Sequence, residues 1–186
     1  MAHRACPWWL GYFLASPLRR LVQDPHVLLA PFVSNGMTVL EPGPGMGFFT
    51  LELARLVGPE GRVVAIDVQP QMLAGLVAKA ERAGLRNRIE AREPKGAHLG
   101  TEDLVARVDF VLAFAVLHEL PSTSAFFVEV HRALRPNGRI LACEPKLHVS
   151  AAAFEDSLSE ARDAGLRVES RPKVRGSRSA LLLKGV

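Results

Sequence analysis

The sequence predicts an α/β domain, a parallel sheet with helices on both faces. Three observations carry this. From residue 38 onward, short apolar runs alternate with segments of helical spacing, βαβαβ twice over. Glycine and proline turn chemistry separates run from segment. The chain has 186 residues and is 48% hydrophobic and 23% charged, which suits one domain with its own core and excludes wholesale disorder.

Thr38 to Glu41 is a short strand that ends at a glycine cluster. Phe48 to Val57 follows with helical spacing, Phe49, Leu53, Leu56 and Val57 sharing a face. Gly58-Pro59-Glu60-Gly61 is a turn, and the β-branched run Arg62 to Asp67 is a strand. Pro70 fits the first helical position of a helix that stops at Gly84. Arg88 to Arg92 is a brief strand and Asp109 to Phe114 a buried one. Ser122 to Leu134 is a helix with Phe126, Val130, Ala133 and Leu134 on one side. After the Pro136-Asn137-Gly138 turn come a strand at Arg139 to Cys143, a helix at Phe154 to Ala164, and closing strands at Arg167 to Ser170 and Ala180 to Lys184. Residues 1–35 differ. They carry Pro7, Pro17, Pro25 and Pro31, both tryptophans and the only tyrosine. They read as a helical cap belonging to the same domain, which itself occupies 36–186.

The formal net charge is +4, with basic residues spread along the chain and densest between Arg167 and Arg178. A spread surplus reads as solvated surface, or as weak attraction to anionic substrates, membranes or nucleic acid. Cys6 and Cys143 are too few for a disulfide framework or a four-thiolate zinc site, so a reduced, cytoplasmic protein is expected. No apolar run reaches the length of a membrane helix. The Cys6 to Ser16 stretch loosely mimics a signal peptide, but Pro7 and two Trp interrupt it, and it is read as part of the fold.

The strongest feature is Glu41-Pro42-Gly43-Pro44-Gly45-Met46-Gly47, between the first strand and first helix. Alternating glycines let backbone turn sharply and approach a ligand, and in open α/β sheets ligands bind at the carboxyl ends of strands. The spacing is G-x-G-x-G. Phe48 occupies the third glycine of the dinucleotide fingerprint, and no Lys-Ser/Thr follows to make a P-loop. Asp67 ends the second strand about twenty residues beyond the loop, where an acid binds a ribose diol. Val68 and Met72 can supply apolar contact to an adenine ring. Together these features point to a nucleoside cofactor.

The chain resembles the class I S-adenosylmethionine-dependent methyltransferases. The resemblance rests on the EPGPGMG loop with its strand, Asp67 in VVAID, the segment VDFVLAFAVLHEL, and the LRPNGRIL turn, and it covers roughly residues 36–186. It is greatest to the compact small-molecule branch, including quinone-biosynthesis and arsenite methyltransferases. It implies a Rossmann-like, doubly wound, mostly parallel seven-stranded sheet with an antiparallel last strand. It also implies that Glu41 and the loop backbone of Gly43, Pro44, Gly45 and Gly47 hold the methionine end of S-adenosyl-L-methionine, that Asp67 holds its ribose, and that Phe114 sits near the cofactor. Many members carry an acid after the third strand for the adenine amine; here Lys95 falls at that place, leaving Glu93 or backbone groups for the role.

Methyl transfer is an in-line displacement at a sulfonium, with S-adenosyl-L-homocysteine as product, and the protein mainly aligns and excludes water. A general base helps when the acceptor must lose a proton. His118 and Glu119 follow the fourth strand and are the candidates; otherwise they cap the next helix. Glu144 and His148 follow the fifth strand and are expected to line the substrate pocket; otherwise Glu144 accepts loop hydrogen bonds. Two His and two carboxylates permit a metal, but their spacing matches no local motif, and no metal is expected. Cys143 reads as a small buried hydrophobe, and Cys6, in the cap, as a bland residue with a reactive thiol as the alternative; the arsenite methyltransferases that the chain resembles generally use more cysteines than are present here. The Trp8 to Leu14 run followed by Arg19 and Arg20 reads as a lid over the site, with Tyr12 nearest the cofactor; a membrane surface is the alternative. No Asn/Asp-Pro-Pro-aromatic signature stands at Ala115 to His118, so nucleic acid is not the expected partner. The expectation is a methyltransferase for a small-molecule acceptor. A lipid or quinone methyltransferase at a membrane surface and a cofactor-binding module without turnover are the alternatives, and the sequence does not give the oligomeric state.

Overall fold

The computed structural model describes residues 23–96 and 98–185. Seven strands, β1 (Thr38–Pro42), β2 (Arg62–Ile66), β3 (Ile89–Arg92), β4 (Val108–Phe114), β5 (Leu134–Pro145), β6 (Leu166–Ser170) and β7 (Ser177–Lys184), form one sheet in the order β3-β2-β1-β4-β5-β7-β6, the mostly parallel Rossmann-like sheet expected, with helices around it. The chain divides into two compact units that meet in sequence between Pro94 and Lys95.

In the first unit, β1 (Thr38–Pro42), β2 (Arg62–Ile66) and β3 (Ile89–Arg92) run parallel, Leu40 beside Val64 and Val64 beside Glu90. Val39, Leu40, Val63, Val64 and Ala65 have no solvent exposure. Strands covered on both faces read as continuous apolar runs rather than alternating ones, as RVVAI does. Ahead of them, α1 (Pro25–Leu29) is capped by the Asp24 carboxylate, which accepts from the His26 N–H at 2.8 Å. The next helix, α2 (Thr50–Leu56), starts two residues later than the spacing predicts, because residues 44–49 are used in turns. In α3 (Pro70–Arg82), Met72, Leu76 and Ala80 recur every four residues and are buried. It ends with Leu85 N–H on the Ala80 carbonyl (2.9 Å) and Gly84 N–H on that of Glu81 (3.0 Å), with Gly84 at φ +67°. This paired closure needs a left-handed residue, which glycine adopts freely.

In the second unit, β4 (Val108–Phe114) lies parallel to β5 (Leu134–Pro145), and β7 (Ser177–Lys184) runs antiparallel to both β5 and β6 (Leu166–Ser170). The turn expected at Pro136-Asn137-Gly138 is a bulge inside a longer strand. Leu134 pairs with Val108 and Arg139 with Phe110, so Arg135 to Gly138 loop out, Asn137 at φ +62°. Serines cap both helices: Ser122 Oγ accepts from Ala125 N–H ahead of α4 (Thr123–Ala133), and Ser150 Oγ from Ala153 N–H ahead of α5 (Ala151–Asp163), each at 3.1 Å. The second cap starts α5 three residues before Phe154, the first aromatic of its pattern. Lys184 Nζ donates to the carbonyls of His131 and Leu134, both at 2.7 Å, a cation at the negative end of α4.

Residues 1–22 of the expected cap, with Cys6, Tyr12, the Trp8 to Leu14 run and Arg19-Arg20, lie outside the described residues. Among the described residues no helix is long and apolar enough to cross a membrane.

Candidate active site

The glycine loop leaves β1 through Gly43, whose N–H donates to the Ile66 carbonyl at 2.8 Å. Gly43, Gly45 and Gly47 have φ of 69°, 53° and 84°, left-handed values that L side chains adopt only with strain. Their surroundings differ. A Cβ on Gly47 would stand 2.5 Å from Leu76 Cδ1 on α3, whereas one on Gly45 would meet nothing within 4 Å. Gly47 therefore lets α3 pack on the loop, while Gly45 leaves backbone open to a ligand. Gly47→Ala is expected to cost about 3 kcal/mol, from backbone strain and overpacking, read as a lowered urea midpoint with an unchanged slope.

Asp67 organises this loop. Its Oδ2 accepts from Gly45 N–H (3.2 Å) and its Oδ1 from Gln69 N–H (2.9 Å), tying the loop to the start of α3. It is 8% exposed, and burial lifts its carboxyl above the ordinary range against the pull of those two N–H groups. Each oxygen keeps a lone pair for a further donor, as a ribose diol requires. Glu41 is buried more deeply, and burial pushes its carboxyl up to about 8, with the Asp67 charge adding to the rise. Glu41 Oε2 and Thr50 Oγ1 are both buried without a hydrogen-bond partner. Buried polar atoms are rarely left so. The orphaned carboxyl oxygen, the open backbone at Gly45 and the spare lone pairs of Asp67 fit a polar ligand such as the methionine and ribose parts of S-adenosylmethionine.

The remaining expected residues are placed unevenly. Pro44 is buried and Phe114 half-buried. Met72 is packed into the core face of α3 at 5% exposure, whereas Val68 is 65% exposed. Glu93 and Lys95 are both exposed, and Lys95 faces Glu102 at 3.5 Å. The sequence reading missed two groups. Thr50 gave no signal beyond opening a helix. Lys79 donates to the Met46 carbonyl at 3.1 Å, and burial, helped by Arg82, lowers its ammonium. Its place seven residues after Met72, on the apolar stripe, was the available clue.

In the second unit, a sharp exit from β4 builds a separate cluster. Ala115 sits at φ +54°, its N–H on the Cys143 carbonyl at 2.7 Å, and a single 3₁₀ turn covers Leu117–Glu119. His118 Nδ1 lies 2.5 Å from Glu144 Oε2, and Leu117 N–H donates to Glu144 Oε1 at 2.9 Å. Glu144 is 1% exposed, so it does not line a pocket as expected; both its oxygens are engaged in holding the 117–119 turn. Nor do His118 and Glu119 cap the next helix, because Ser122 does. With Nδ1–H donated to the carboxylate, the His118 ring carries its lone pair on Nε2, which stands 4.0 Å from Glu119 Oε1. The exposed His148 ring meets that of His118 edge-on at 6.0 Å. Cys143 is buried, and burial, then the Glu144 charge, pushes its thiol far above the ordinary range, which leaves it unreactive. Among the described residues no group of three or more His, Cys, Asp or Glu is arranged to hold a metal ion.

Residues 33–170 match the sequence family described as "Methyltransferase domain". The chain is 30% identical over 126 residues to an arsenite methyltransferase of Halobacterium salinarum, a match covering 68% of this chain and 31% of that one. It is 30% identical over 124 residues to a demethylmenaquinone methyltransferase of Lactococcus lactis, covering 65% and 48%. The chain thus spans a third to a half of the length of these curated relatives. A crystal structure of a SAM-dependent methyltransferase from Aquifex aeolicus superposes with a TM-score of 0.82 at 27% identity, over 96% of this chain and 98% of that one. Family match, sheet order and glycine loop agree, and the chain belongs to the methyltransferase-domain family, whose cofactor is S-adenosylmethionine.

Proposed function

We propose that the protein methylates a small-molecule acceptor that loses a proton from O–H or N–H as it reacts. The observation that carries this is the buried Glu144 carboxylate bonded to Nδ1 of the part-exposed His118. Bound S-adenosylmethionine supplies a methyl group on a sulfonium. Glu41, the Gly43-Pro44-Gly45 backbone and Gly47 would cradle its methionine end, and Asp67 would accept hydrogen bonds from its ribose, with the exposed Val68 beside them. Glu144 fixes the tautomer and orientation of His118 and stabilises the imidazolium. His118 Nε2 takes the acceptor's proton, with Glu119 and His148 placed to orient the acceptor. A carboxylate-oriented imidazole of this kind is the usual device for activating a weak nucleophile.

The relatives named for arsenite and demethylmenaquinone support a small acceptor. Arsenite is held by thiolates, and Cys143 is the one cysteine among the described residues and is buried. A phenol-like acceptor of the quinone-precursor type suits the dyad better. His118→Ala and Glu144→Gln are each expected to lower methyl transfer to such acceptors by about two to four orders of magnitude, with calorimetric affinity for S-adenosylhomocysteine unchanged. Undiminished turnover by His118→Ala would remove the proton-transfer role.

A further inference from the structure

We propose that the groove beside the β6–β7 loop is a phosphate-binding site. It is an open cavity of about 550 Å³ walled by Lys146, Arg171, Lys173, Arg175 and the serines at 177 and 179, within the size range of small-ligand sites. It absorbs the basic stretch that stood out in the sequence. Arg171 is committed, its guanidinium bonded to both Glu155 oxygens at 2.6 and 2.9 Å. Lys146, Lys173 and Arg175 are exposed and form no ion pair with a carboxylate among the described residues. Three uncompensated cations thus surround one concavity with no carboxylate in its wall.

The loop's own hydrogen bonds hold it in shape. Lys146 N–H donates to the Gly176 carbonyl at 3.0 Å, and Ser177 N–H closes a turn on the Val174 carbonyl at 3.1 Å. The Ser179 hydroxyl donates to the Pro172 carbonyl, and Val174 is buried beneath the loop at 8% exposure. Gly176, at φ +74°, presents backbone with nothing within 4 Å of where a Cβ would stand. A fixed backbone carrying convergent ammonium and guanidinium groups is the chemistry that recognises phosphate, the arginine by its planar fork and the lysines as point charges. Little ordering remains to be done on binding. The cations are confined to one loop and one turn rather than drawn out in a stripe, which suits a single phosphate or diphosphate group better than a nucleic-acid strand. The phosphate can belong to a soluble small molecule or to a lipid headgroup. Lys146 is followed by Leu147, which is 96% exposed.

The test is titration of the full chain with inorganic pyrophosphate, for wild type and for the Lys146→Gln, Lys173→Gln, Arg175→Gln triple variant. Wild type is expected to bind it with an affinity that falls steeply with salt, and the variant at least about tenfold more weakly. S-Adenosylhomocysteine affinity should be equal in the two, which separates loss of this groove from misfolding and from failure of the proposed methyl-transfer site. Arg175→Lys, which keeps the charge, should retain most of the binding. A second arm measures co-sedimentation with vesicles of phosphatidylcholine alone and of equal parts phosphatidylcholine and phosphatidylglycerol. Charge-dependent co-sedimentation lost in the triple variant assigns the phosphate to a lipid headgroup, while pyrophosphate binding without it assigns a soluble ligand. Pyrophosphate binding that is absent from wild type, or equal in the triple variant, overturns the proposal. So does an RNA oligonucleotide that binds far more tightly than pyrophosphate and is indifferent to the three substitutions.

Discussion

Replacing Asp67 by alanine is expected to weaken S-adenosylhomocysteine binding by about a hundredfold or more, roughly 3 kcal/mol. The size follows from two losses at one position. The carboxylate proposed to accept from the ribose disappears, and Gly45 N–H and Gln69 N–H lose the acceptors that fix the glycine loop to the start of α3. A loop that must be ordered on binding charges its conformational entropy against affinity. Asp67→Asn separates the two. Its amide oxygen can keep the bond from Gln69 N–H, but its NH₂ confronts Gly45 N–H, donor against donor. Asparagine should therefore recover only part of the affinity. Calorimetric titration of wild type and both variants, with melting curves to show each is folded, checks this. Equal affinity in wild type and Asp67→Ala would remove Asp67 from the cofactor site.

The features most legible in the sequence were those with local causes. RVVAI declared a strand because its core is β-branched and apolar throughout, and Pro70 and Gly84 bracket α3 because each suits only its own end of a helix. The glycine loop and Asp67 were visible as a pattern, yet their mutual bond was not. Gly45 and Asp67 are joined only when β1 and β2 pair in register, a non-local fact. The same limit explains Glu144. On the sequence it is an acid at a strand end that either lines a pocket or accepts loop hydrogen bonds; the fold brings it against His118, 26 positions earlier in the chain, and commits both its oxygens to that turn. Boundaries failed where a cap or bulge decided them. Ser150 starts α5 ahead of its first aromatic, and the Pro136-Asn137-Gly138 turn interrupts β5 without ending it. Thr50 is silent in sequence because its importance lies in an unpartnered hydroxyl, which exists only once burial removes water.

Glu41→Gln is expected to stabilise the free protein at neutral and mildly alkaline pH while weakening its hold on S-adenosylhomocysteine. Burial lifts the Glu41 carboxyl from an ordinary 4.5 to about 8. Between those values the unfolded chain has released this proton and the folded chain retains it. Stability therefore falls as pH rises across that interval, by about 1.4 kcal/mol per pH unit for one such group, and levels off above it. Asp67, also raised, adds in the same direction. Glutamine keeps the shape and removes the titration, so the Glu41 contribution to this slope should vanish and the variant's advantage should grow toward pH about 8. Thermal melting of both proteins across the range measures it, and parallel curves would show that Glu41 does not hold its proton in the fold. The opposite sign in binding follows from the same geometry. An unpaired carboxyl oxygen without solvent is a standing cost in the free protein, and an ammonium or hydroxyl on the cofactor placed there would relieve it. Bringing a cation against Glu41 favours the carboxylate, so binding should release a proton at neutral pH in wild type. Calorimetry in buffers of differing ionisation heat reads that release directly, and it should be lost in Glu41→Gln. A wild type that binds with no buffer dependence would show that the cofactor's charge is not placed against Glu41.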